Sequence, residues 1–96
     1  MQTISIKSHS PEKTIPLLTN AIEREKRIVM DSLRMTRQRV EALAKEMGVD
    51  VSKLMLGEVD HDEAYDMRLL ELEGEMELLE HLESELRELE TLEICR

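Results

Sequence analysis

Apolar residues recur along this chain at helical intervals in two long stretches and alternate with polar ones only near its ends. In the first stretch Ile15, Ile22, Val29, Thr36 and Leu43 stand seven apart, and Leu33, Val40 and Met47 occupy the line four residues on. Such an a/d seam predicts a helix over 14–47, with Pro16 tolerated in its first turn and Gly48 ending it in the left-handed conformation. In the second stretch Tyr65, Leu69, Leu72, Met76, Leu79, Leu82, Leu86 and Leu89 follow gaps of three and four, with one slip between Leu79 and Leu82. This predicts a helix over 61–92. Asp60 as N-cap with Glu63 resembles a capping box in which Asp replaces Ser or Thr, and Val59 with Ala64 supplies a hydrophobic staple. Between the stretches, 48–60 reads as a connector in which Asp50 or Ser52 caps one short turn over 53–56.

At the N-terminus, Ile4 and Ile6 alternate with Thr3, Ser5 and Lys7, the signature of a short strand over 3–7, so that 1–8 reads as strand and turn leading into Ser8-His9-Ser10-Pro11. Residues 91–95 alternate in the same way, and either a second strand or a fraying helix end accounts for them. The two helices would each be roughly 50 Å long at about 1.5 Å per residue. Matched lengths across a short connector predict a single all-α domain: an antiparallel coiled-coil hairpin with a short N-terminal β-strand and a tail over 93–96.

Composition supports a rod. The chain has no Phe or Trp, one Tyr and 36% charged residues among its 96, which suits a thin seam with much surface better than a compact core. The net charge of −9 divides unevenly: residues 1–57 carry +3 and residues 58–96 carry −12. The acidic half therefore favours a neighbour rich in Arg and Lys, and the first half supplies one in Arg24, Arg27, Arg34, Arg37 and Lys45. No apolar run spans a bilayer and no basic segment precedes an apolar one, so neither a membrane span nor a secretory signal is expected. A single cysteine, Cys95, excludes an internal disulfide framework, and a cytoplasmic location follows as the default.

A two-helix hairpin uses one stripe per helix, and this chain has more. Leu70, Gly74 and Leu78 stand four apart with His81 three beyond; Leu18, Met30 and Met35 lie outside the first seam; the connector adds Val51, Leu54 and Leu56. Burying such an aliphatic side chain is worth roughly 1.5–3 kcal/mol, so the set calls for a partner. A lone strand is marginal too, and would add to another sheet edge. Ile4, Ile6, Met30, Met35, Leu54, Leu56, Leu70, Gly74, Leu78 and His81 are thus the candidate partner-binding residues. The partner is a second protein, a second copy forming a four-helix bundle, or both.

Catalytic and cofactor chemistry finds little support. Glu58-x-x-His61 has the spacing of half a di-metal site but lacks the second copy and the inward carboxylates. Glu77, His81 and Glu85 share a helical face that reads more simply as solvated. No metal, cofactor or catalytic residue is assigned, because no nucleophile–base pair, P-loop or dinucleotide fingerprint is present. The Arg residues of the first helix face competition from the acidic helix, so nucleic-acid binding by this chain alone is disfavoured. Mimicry of a phosphate backbone by the acidic helix is an alternative.

The order of elements is similar to one found in small, poorly characterised prokaryotic, largely archaeal, helical proteins. The resemblance runs through the Thr3-Ile4-Ser5-Ile6 strand, the Ser10-Pro11-Glu12-Lys13 helix start, Lys45-Glu46-Met47-Gly48-Val49-Asp50, the Gly57-Glu58-Val59-Asp60 loop and the Glu/Leu-rich final helix. Some of these proteins are encoded beside a small toxin-like protein as its antitoxins. The resemblance implies a protein-binding role, in which hairpin and terminal strand cover a toxin's active surface. Typical antitoxins also carry a DNA-binding module, and this sequence has no helix-turn-helix or paired basic ribbon.

Overall fold

The computed structural model describes residues 2–55 and 66–94, and among them it contains three helices and no strand: α1 (Pro11–Met47), α2 (Val51–Met55) and α3 (Asp66–Glu90). α1 starts three residues earlier than its periodicity predicts. Pro11 takes the first helical position, where a missing N–H costs nothing and the ring presets φ. The Ser10 carbonyl accepts from the N–H groups of Lys13 and Thr14, both at 3.0 Å. Ser8 then ties the entry: its hydroxyl accepts the Ser10 N–H at 3.1 Å and bonds the Thr14 hydroxyl. Pro16 consequently lies inside α1 rather than in its first turn, and the Glu12 carbonyl one turn back loses its usual donor.

The other end of α1 follows the expectation. Gly48 adopts φ 67° and ψ 29°; its N–H donates to the Lys45 carbonyl (3.2 Å) and that of Val49 to the Ala44 carbonyl (2.9 Å). This is a Schellman closure, completed by Val49 packing on the cluster that contains Ala44. Asp50 then caps α2, its side chain accepting the Ser52 N–H at 2.9 Å and its carbonyl the Leu54 N–H at 3.0 Å. The short turn therefore covers Val51–Met55 rather than 53–56. The Asp60/Glu63 capping box, the Val59/Ala64 staple, the start of the second long helix near His61, Tyr65 and Leu56 lie outside the described residues. α3 closes at Glu90, two residues short of the prediction, with Thr91 in a turn whose N–H reaches the Arg87 carbonyl.

Three cross-helix ion pairs define the register. Glu46 pairs with Arg68, Arg39 with Glu75 (3.2 Å) and Arg37 with Glu83 (3.3 Å), so positions falling along α1 meet positions rising along α3. The helices are antiparallel. Arg37 and Arg39 reach α3 from opposite flanks of the buried Thr36 and Val40. The core forms two patches. Near the connector, Val40, Ala44, Leu54, Leu69 and Leu72 are buried together; towards the open end, Val29, Leu33 and Leu82 are. Thr36 is the buried polar residue between them, its hydroxyl accepting from Arg39 at 3.2 Å.

Two expectations need correction, and one open alternative is decided. Residues 3–7 form no strand: among the described residues there is no sheet edge to bond the segment's backbone, and Ile4 and Ile6 stay 83% and 67% exposed. Residues 92–94 form no second strand and lie beside Thr19, Ile22, Glu23 and Lys26 of α1, a turn or more beyond the N-terminal entry. Leu54 is not surplus surface, because α2 folds it under the hairpin, where it is 8% exposed.

Candidate interaction surface

With one stripe of each helix spent on the hairpin, the described residues divide tellingly: eight apolar side chains are buried, and ten large ones are exposed. Scattered apolar residues on a surface are ordinary; contiguous ones mark binding faces. On α3, Met67, Leu70 and Leu78 are exposed at gaps of three and eight, with Gly74 midway between the leucines and His81 one turn beyond. A Cβ at Gly74 would meet nothing within 4 Å. Glycine inside a helix lowers its stability by roughly 0.5–1 kcal/mol relative to alanine, and no neighbour among the described residues needs the space. Gly74 leaves a notch between two leucines. The Nε2 of His81 lies 2.8 Å from Glu85 Oε1, so the stripe turns polar at its far end.

On α1 the corresponding stripe is Ala21, Ile28, Met35 and Ala42, all exposed and seven apart, with Leu17 one turn before them. Each stands one residue before a seam position, hence about 100° round the helix. A groove of about 310 Å³ bordered by Glu25, His81, Ser84, Glu85, Glu88 and Leu89 runs from α1 to α3 beside the two stripes. Glu25 sits between Ala21 and Ile28 on the α1 surface, and His81 follows Leu78 on α3. Ile28, Met35, Leu78 and His81 therefore share one flank of the hairpin, and Leu70, Gly74 and Met67 continue it along the outer side of α3.

The other candidates part from this set. Met30 is exposed, but one heptad before Arg37 it occupies the opposite flank, where Arg37 meets Glu83. Ile4 and Ile6 stand free on the segment leading into α1. Leu18 is half-buried. Sequence reasoning missed Leu17, Ile28 and Met67, although the seven-residue recurrence through Ile28 and Met35 was available beside the seam.

Electrostatics follow the helices. α1 carries eight Lys/Arg and six Asp/Glu, +2, and α3 two and ten, −8. Glu46 hydrogen-bonds the Arg68 guanidinium and, with a smaller attraction from Glu71, holds it charged to higher pH than usual. Among the described residues no three His, Cys, Asp or Glu side chains are placed to hold a metal, and no helix is long and apolar enough to cross a membrane. No family model, no curated protein and no solved structure matches the chain.

Proposed function

We propose that this chain is a non-catalytic protein-interaction module that binds through the outer flank of its hairpin and through the segment carrying Ile4 and Ile6. The observation that carries the reading is the set of exposed large apolar side chains among the described residues, of which Leu17, Ile28, Met35, Met67, Leu70 and Leu78 line up along α1 and α3. A Met-bearing, aromatic-free face repacks readily against a partner. The segment 2–9, which belongs to no helix or strand, supplies a strand for a partner's sheet. The −8 of α3 favours a partner with a basic surface, and electrostatics of this kind speed and orient docking more than they tighten it.

An antitoxin that covers a small toxin-like protein is one form of such a module, and the resemblance of the connector and terminal segments points to it. Co-expression with the product of the neighbouring gene tests this. A complex that survives purification at low micromolar concentration is expected, weakened at least tenfold by Ile4→Asp with Ile6→Asp and by Leu70→Glu. A partner that binds these variants as well as the parent chain removes the proposed surface from the account.

A further inference from the structure

We propose that the flank carrying Ile28, Met35 and Leu78 is covered by a second copy of this chain, with α1 of each copy lying on α3 of the other and both connectors at the same end. The inference rests on the stripes being a protein-binding surface, and adds what occupies them. Three observations point to a second copy. The first is area. The chain exposes 8003 Å², whereas a compact monomer of 11.2 kDa would expose about 5,700 Å². The flank alongside α3, about 37 Å long at 1.5 Å per residue and 23 Å broad, offers roughly 800 Å², the share each partner contributes to a standard interface. The second is self-complementary charge. The flank is bordered by a helix of +2 and a helix of −8, so a two-fold axis along the rod brings unlike helices together, whereas an axis across it brings α3 onto α3.

The third is register. An axis along the rod keeps each height of one hairpin opposite the same height of the other. Within one copy Glu25 and Leu89 border a common groove and Arg39 meets Glu75, so Met35 falls opposite the Leu78 to His81 region of the second copy. Ala42 falls opposite the Gly74 notch, a small residue where close approach is open. Arg24, which has no ion pair among the described residues, falls at the height of Glu88 and Glu90 of the other copy. Every neighbouring pair of helices in the assembly is then antiparallel, the arrangement of an up-down four-helix bundle.

Sedimentation equilibrium of the full chain between 1 and 100 µM tests the proposal, with far-UV circular dichroism to confirm that each variant keeps its helices. A species of twice 11.2 kDa is expected. Met35→Lys and Leu78→Lys should each raise the dimer dissociation constant at least 100-fold with helicity unchanged, since both side chains are exposed in the single hairpin. Arg24→Glu and Glu88→Arg should each weaken the dimer several-fold alone, and the two variants mixed should pair preferentially with one another. A monomer at 100 µM overturns the second copy while leaving the protein-binding reading to the co-expression assay. A dimer indifferent to Met35→Lys and Leu78→Lys overturns this flank as its interface. A mixture that shows no preferential pairing overturns the placing of α1 on α3.

Discussion

Leu70 and Leu72 are two residues apart on α3 and have opposite fates: the first is 57% exposed, the second 0%. A step of two carries a helical residue about 200° round the axis, so one faces α1 and the other leaves the hairpin altogether. Truncating Leu72 opens a cavity beneath Val40 and Leu69 in a core with few members, and Leu72→Ala should cost about 2–5 kcal/mol in urea unfolding. Leu70→Ala removes no internal contact of that kind and should stay within about 0.5 kcal/mol, measured below the concentration at which copies associate. Equal losses would mean that Leu70 is covered within the chain. Ala44 teaches a related point: it is buried, yet a heptad reading centred on neighbouring Leu43 passed over it. From Leu33 the buried line runs 33–36–40–44, with half-buried Met47 beyond it, an eleven-residue step from Leu33 to Ala44 that drifts off a strict heptad by one residue.

Among the elements, α1 shows how local rules compete. Its seam extends the helix through Pro16, although that residue removes one hydrogen bond and crowds the carbonyl one turn back. Half-burial of Ile15 and Ile22 on the seam side offsets that loss. Pro16→Ala restores a donor to the Glu12 carbonyl and should stabilise the first two turns of α1 by at most about 3 kcal/mol. Slower amide exchange over 14–20 is the expected signature; unchanged exchange would show that these turns open independently of Pro16. At the far end of the helix the competition is absent. Gly48 and the following Val49 satisfy the last carbonyls together, and that terminator was readable from the sequence because only the backbone of a few adjacent residues is involved.

For the whole molecule, the radius of gyration of 19.2 Å far exceeds the roughly 12.5 Å of a compact 96-residue domain. A rod of 60 × 23 × 17 Å has too little interior to hide its apolar residues. Its exposed cross-helix ion pairs fix register and direction, each worth about 0–1 kcal/mol. The segment before α1 belongs to the surface account, not the core. Deleting residues 2–7, which leaves the Ser8–Thr14 hydrogen bond in place, should leave the melting temperature unchanged within about 2 °C while removing the Ile4 and Ile6 contribution to partner binding. A large drop in melting temperature would place that segment in the fold.

The two long helices, the Gly48 terminator and the antiparallel pairing of a basic with an acidic helix follow from spacing and charge along the chain, because the interactions that set them lie within a few residues or repeat every three or four. Which apolar residues are spent, and which remain, was decided only when the helices met. Leu54 became core because α2 carries it back beneath Val40 and Leu69, whereas Ile4 and Ile6 stayed in solvent because the described residues offer no sheet edge to pair with them. Burial depends on what approaches from elsewhere in space, and no period in the sequence records that.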